Sequence, residues 1–192
     1  MTRALLKLTG TTPLLCHNIQ LNDPDNDFTR LIAEITAKKN KKTDQDRAEI
    51  ARLEWFGGLY TAPGVGGPLI PTGNIRKCLI EAAKVTRQGR QIGRGIAFIG
   101  MHVPLIYEGP RNLEELQASP TYNYRVSVNV TGKRVIRIRP QFPVWAVEAH
   151  AEIITDIIDP DDVEQIVKRA GLIEGLGDNR VNGFGRFTAT MR

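Results

Sequence analysis

A chain of 192 residues is long enough for one well-buried core and too short for two comfortable domains. Its make-up, 41% hydrophobic and 24% charged, excludes a disordered or fibrous chain, and no apolar run approaches membrane-spanning length. The formal net charge of +5 favours a polyanionic partner, while the two widely separated cysteines, Cys16 and Cys78, exclude a disulfide framework or zinc spacing.

Residues 3–16 have the pattern of a long strand, kinked at Pro13, with Arg3, Lys7 and Thr9 interleaved with Leu6 and Leu8. The start Met1-Thr2-Arg3-Ala4-Leu5-Leu6-Lys7 carries charge inside a short apolar run, so a signal peptide is not expected and a cytoplasmic protein is. His17-Asn18 follow at the strand end, then the acidic turn Asn22-Asp23-Pro24-Asp25-Asn26-Asp27. Phe28, Leu31, Ile32 and Ile35 fall on one face of a helix. Lys38, Lys39, Lys41 and Lys42 interrupt it, and Thr43-Asp44-Gln45-Asp46 caps a second helix that Gly57-Gly58 stops.

Leu59-Tyr60 and Leu69-Ile70 look like a short strand pair around a glycine-rich loop. Pro71-Thr72-Gly73-Asn74 opens a helix burying Ile75, Leu79, Ile80 and Ala83, with Arg76, Lys77, Arg87, Arg90 and Arg94 along its exposed side and beyond. Short strands are expected at 96–99 and 103–107, and a lone helical turn at 113–116. Residues 125–130 and 133–139 alternate around Thr131-Gly132, a hairpin pattern. The clearest strand is 144–154, where Trp145, Val147, Ala149, Ala151 and Ile153 face one way and Glu148, His150 and Glu152 the other. Asp159-Pro160 caps a helix that Gly171 ends, and 186–191 closes the chain as a strand.

Between that helix and strand lies the densest motif, 175–187. Gly175, Gly177, Gly183 and Gly185 can adopt positive φ and expose backbone N–H groups to an anion, and Arg180 and Arg186 add planar donor forks suited to phosphate. The plainer reading is a tight structural connection. Without the insertion at 16–71, the order is strand, helix, strand, strand, helix, strand. That order predicts an α+β fold, a ferredoxin-like antiparallel sheet with two core helices, interrupted after its first strand by a mostly helical insertion.

Three stretches carry a family resemblance. Thr9-Gly10-Thr11-Thr12-Pro13-Leu14-Leu15 resembles the first-strand signature of the RAMP superfamily, the backbone proteins of CRISPR effector complexes. Residues 69–79 are similar to its helix entry, and residues 177–187 to its C-terminal glycine-rich loop. The whole also looks like small stand-alone phage and prophage proteins. The resemblance implies one RRM-like domain over 1–192 that grips an RNA backbone, with copies side by side along the strand. The helical insertion departs from the family pattern, and so does the lack of an obvious thumb hairpin.

Bottom-up, the phosphate-tracking residues are Lys38, Lys39, Lys41, Lys42, Arg76, Lys77, Arg87, Arg90, Arg94, Gly177, Arg180, Gly183, Gly185 and Arg186, provided they converge. The expected partners are single-stranded nucleic acid, RNA before DNA, and further copies of the chain; no cofactor, metal or membrane is expected. One alternative is metal-dependent RNA cleavage by Asp23, Asp25 and Asp27, with His17 as a further catalytic candidate. Turn and capping duty is the plainer role for those aspartates. The other alternative is an adaptor that binds protein.

Overall fold

The computed structural model describes residues 1–130 and 132–192. In chain order its elements are β1 (Thr2–Gly10), β2 (Leu14–Leu15), α1 (Asp27–Thr36), α2 (Asp44–Gly58), β3 (Leu69–Pro71), α3 (Thr72–Ala83), α4 (Gly89–Gly95) and β4 (Ile96–Phe98). Then come β5 (His102–Pro104), β6 (Ile106–Tyr107), α5 (Leu113–Ala118), β7 (Asn123–Val130), β8 (Lys133–Phe142), β9 (Trp145–Ile153), α6 (Pro160–Ile173) and β10 (Phe187–Met191). The fold is α+β with antiparallel sheets. No helix among the described residues is long and apolar enough to cross a membrane.

The chain packs as two units. The first comprises Met1–Leu14, Thr61–Glu108 and Pro143–Arg192; the second comprises Leu15–Tyr60 and Gly109–Phe142.

The first unit is built on a sheet of order β10-β1-β9-β4, every pairing antiparallel, with β6 added to β9. The alternation in β9 is the reason. Trp145, Val147, Ala149, Ala151 and Ile153 are all buried, as are Leu6 and Leu8 of β1. Fully burying each such aliphatic side chain stabilises the fold by about 1.5–3 kcal/mol. Helix α6 packs on β10, and α3 packs on α6. The opposite face is polar, with Lys7 pairing with Glu148 at 3.2 Å and Arg3 with Glu152 at 3.5 Å. His150 stands exposed between those two carboxylates.

In the second unit α1 packs on α2, and α2 packs on β8. β7 and β8 pair from Asn123↔Pro140 to Val130↔Lys133. The hairpin is therefore as expected, although Thr131 of its turn lies outside the described residues. Trp55 is fully buried and its Nε1 donates to the Tyr122 carbonyl at 2.8 Å. Glu54, 3% exposed, accepts from Arg137 and from the Ile138 N–H, which supplies the pairing a buried carboxylate requires.

Helix α2 begins with a full capping box between Thr43 and Asp46. Lys38 adds a 2.6 Å ion pair to Asp46. The Lys38 hydrogen bond first, and the Thr43 N–H second, lower the Asp46 carboxyl from 3.8 to about 2. A depressed folded pKa contributes stability that is complete above the unfolded value and is lost as pH falls toward the folded one. Asp46→Asn should therefore remove a component of acid sensitivity between 3.8 and about 2. A carboxyl-carbon NMR titration that places Asp46 at its ordinary value would contradict this.

Three local expectations are corrected. The strand expected over 3–16 breaks into β1 and β2, because the backbone of Thr11 and Thr12 turns to the C-terminal loop: both N–H groups donate to the Arg186 carbonyl. Leu59-Tyr60 forms no strand; β3 pairs with β5 instead, from Leu69↔Pro104 to Pro71↔His102. Helix α2 ends at Gly58 as expected, and Gly57, one residue inside it, also serves close approach, since a Cβ there would sit 2.5 Å from Leu21 Cδ2. Gly171 likewise lies inside α6, where a Cβ would meet the Phe187 carbonyl oxygen at 1.9 Å; the helix runs on to Ile173.

Candidate functional site

The site is built where α6 ends. Gly175, at φ +76°, donates its N–H to the Ala170 carbonyl and turns the chain out of the helix. Leu176 is buried and anchors the loop. Asn179 (φ +56°) opens a single turn over Arg180–Asn182, and Gly183 (φ +85°) closes it. Gly185 returns the chain alongside Leu176, the Leu176 N–H donating to the Gly185 carbonyl at 2.9 Å.

The loop is fixed from the far end of the chain by the segment after β1. The Thr12 hydroxyl donates to the Gly183 carbonyl at 2.8 Å and accepts from the Arg186 N–H at 2.9 Å. The Gly185 N–H donates to the Pro13 carbonyl at 2.8 Å. Trp145 Nε1 in turn donates to the Thr12 carbonyl, over a Gly10 whose Cβ would lie 2.2 Å from the indole. From α3 the Cys78 thiol donates to the Gly175 carbonyl at 3.1 Å. The three stretches singled out in the sequence thus meet at one place.

Beside them opens a cleft of about 620 Å³, lined by Glu174, Gly177, Asp178, Asn179, Arg180 and Arg186, with Ile173 and Val181 at its edge. Arg186 Nη2 donates to the Arg180 carbonyl at 3.3 Å, while its Nη1 is buried with no hydrogen-bond partner. Arg180 pairs only loosely with Glu174, at 3.8 Å. The Glu81 carboxyl on α3 is held below its usual range, first by the hydrogen bond from Lys84, and also by the charges of Lys77 and Arg180. Arg180 acts on both Glu81 and Cys78 and Arg186 on Cys78, so the two arginines stand together at this end of α3, with the Glu174 and Asp178 carboxylates in the same cleft lining. Burial pushes the Cys78 thiol up to about 12, so it is a packed side chain and no nucleophile.

The other residues singled out from sequence are placed elsewhere. Arg76 is turned onto the Gly93 carbonyl. Arg87, Arg90 and Arg94 are exposed along the α3–α4 turn and α4, and none lines the cleft. Lys38, Lys39, Lys41 and Lys42 belong to the second unit, where Lys38 is engaged by Asp46 and Lys42 lines a separate cleft. Asp23 accepts from the Asp25 N–H at 3.0 Å, an Asx turn. Asp27 sits in the first turn of α1 and pairs with Arg30. No group of three His, Cys, Asp or Glu side chains that could hold a metal ion occurs among the described residues. His17 is half-buried, and its carbonyl accepts from the Tyr60 hydroxyl at 3.0 Å.

Two contributors escaped the sequence reading. Thr12 bridges both sides of the loop, and its only signal was its place in the Thr11-Thr12-Pro13 stretch. Asn179 supplies a left-handed turn that glycine usually supplies, which its residue type permits. The open face of the first sheet, with Arg3, Lys7, Thr9, Glu148, His150, Thr188 and Thr190, offers the His150 imidazole, and no Phe, Tyr or Trp among these residues, for a base to stack on.

No family model matches the chain, and no curated protein does. Among solved structures it is similar to a chain of the type III-B Cmr-beta complex bound to cognate target RNA, determined by cryo-electron microscopy. That likeness has 13% identity and a TM-score of 0.49, and covers 100% of this chain and 60% of that one. It is also similar to crystalline Cmr4, at 9% identity and a TM-score of 0.45, over 100% of this chain and 99% of that one. This chain thus spans 60% of the length of the first and nearly all of the second. With TM-scores below 0.5, neither likeness carries function or site residues to this chain.

Proposed function

We propose that this protein binds single-stranded nucleic acid, RNA before DNA, by its phosphate backbone and without reading sequence. The observation that carries the reading is Arg186. A guanidinium nitrogen buried without an acceptor, in a cleft that Arg180 also lines, suits an anion that completes its hydrogen bonding. Phosphate supplies the oxygens in the planar arrangement that an arginine fork accepts. The glycine turn holds the arginines: Gly175 and Gly185 let its two sides press together, and all four of its glycines take positive φ. The polar sheet face, with His150 as the one ring among the residues named on it, argues against a base-stacking platform as the main source of affinity.

The same reading makes the first unit the core of a RAMP-type domain. In support of a ferredoxin-like core, the sheet order β10-β1-β9-β4 takes four strands in the order fourth, first, third, second. The segment between β1 and α3 is then an insertion into that core, and further copies of the chain follow one another along the bound strand. Arg87, Arg90 and Arg94, with the lysines at 38–42, add long-range attraction and no specific grip.

Fluorescence anisotropy with a labelled RNA and a DNA of the same sequence, at several salt concentrations, tests the proposal. Binding should weaken with salt, log affinity falling with a slope of about −2 if Lys77, Arg180 and Arg186 each neutralise one phosphate of a single strand. Shuffling the oligonucleotide sequence should leave the affinity unchanged. Salt-insensitive binding, or none at low salt, would sink it.

A further inference from the structure

The second unit contains a cleft of about 740 Å³ between α1, α2 and the β7–β8 hairpin, and its lining differs from that of the glycine-turn cleft. Its floor is aliphatic: Ile32 of α1, Ile50 of α2, and Ile136 and Ile138 from one face of β8. Ile136 is 53% exposed, although its neighbour Ile138 is buried. Its rim is basic, formed by Lys42, Arg47, Arg125, Arg134 and Arg137. Arg137 is engaged by the buried Glu54 and Arg47 by Asp44. Lys42, Arg125 and Arg134 make no ion pair among the described residues, which leaves three cations around an apolar floor.

From this we infer that the cleft is a protein-docking site that takes an acidic amphipathic helix. The lining selects between polyanions. No aromatic side chain among the described residues lines the cleft, so they offer bases no ring to stack on, whereas aliphatic floors accept leucine and isoleucine side chains projected at i, i+3, i+4 and i+7. Carboxylates flanking such a stripe reach arginine forks on either side, which gives orientation and a fast, charge-steered encounter. A helix with an apolar stripe and glutamates beside it satisfies floor and rim together; a nucleic acid satisfies the rim alone. The site is separate from the glycine turn, and its occupation does not depend on the nucleic-acid reading.

The test uses three labelled probes on the full chain. These are a synthetic helical peptide with leucines at that spacing and glutamates around them, a shuffled peptide of the same composition, and a single-stranded RNA. The ordered peptide should bind at least about tenfold more tightly than the shuffled one, because shuffling keeps the charge and destroys the apolar face. The double substitution Arg125→Glu and Arg134→Glu should weaken the ordered peptide by about tenfold or more at moderate salt, and weaken RNA severalfold less, by screened long-range charge alone. Ile136→Ser gives an independent check from the floor, and thermal melting of each variant verifies folding. Equal binding of the two peptides overturns the inference, as does a folded charge-reversal variant that keeps the peptide. Loss of RNA binding with the peptide retained would assign the cleft to nucleic acid. If wild-type protein binds the ordered peptide and no RNA, this inference stands and the function proposed above fails.

Discussion

Gly185→Ala should lower the thermal midpoint by roughly 10 °C, a loss of about 3–4 kcal/mol for a chain of this size. Gly185 sits at φ +70°, a conformation that a Cβ opposes, and the added atom would lie 1.8 Å from the Leu176 carbonyl oxygen. It would also lie 2.8 Å from the Leu176 carbonyl carbon and 3.0 Å from its nitrogen. These are backbone atoms and cannot rotate aside. Relief requires breaking the Leu176 N–H bond to the Gly185 carbonyl and the Gly185 N–H bond to Pro13, which tie the loop to β10 and to the end of β1. Gly183→Ala is the control. Its φ is also positive, at +85°, but nothing lies within 4 Å of the new Cβ. It should cost only the left-handed backbone term, about 1–2 kcal/mol. Equal midpoints for the two variants, measured by circular dichroism, would show that the close approach at Gly185 does not constrain the fold.

The second large effect is on binding. Arg186→Ala should reduce single-stranded RNA affinity by about tenfold or more at low salt, and flatten the salt dependence by about 0.7 in slope, the signature of one lost phosphate contact. Arg180→Ala should act in the same direction, because Arg180 lines the same cleft and is held only loosely by Glu174. Arg186→Lys should not restore affinity, since an ammonium cannot supply the planar fork. Arg90→Ala is the comparison. Arg90 is exposed on α4, away from the cleft lining, and acts only through screened charge, so its loss should stay within about threefold. If Arg90→Ala and Arg186→Ala weaken RNA alike, the binding is diffuse and the cleft is not its centre.

Much of the local structure was legible in the chain. Period-two alternation in 144–154 marks β9 with its buried and exposed faces correctly assigned, because side chains alternate across a sheet wherever the strand pairs. Thr43 and Asp159 mark their helix starts because an N-cap needs only the next turn of backbone. Partners distant in sequence were not legible. Leu59-Tyr60 has strand composition but finds no ladder, while β3 pairs with β5, some thirty residues on. Gly171 looks like a helix stop, yet it is a place where another segment presses against the helix, and the presser is absent from its own neighbourhood.

The candidate site divides in the same way. The amino-acid sequence by itself determined the glycine turn, its two arginines, the two stretches that share its family resemblance, and the α+β character of the chain. Each follows from residue type and short-range spacing. Only the tertiary structure decided that Thr12, Cys78 and the turn meet, that Arg186 keeps a buried nitrogen without a partner while Arg76 is turned onto Gly93, and that Lys38–42 belong to another unit. It also decided that Arg125 and Arg134, read from sequence only as polar positions of a hairpin, flank an apolar cleft. The physical reason is that strand pairing and helix packing bring together residues from opposite ends of the chain. The charge and hydrogen bonding of a site are summed over that neighbourhood and not along the sequence.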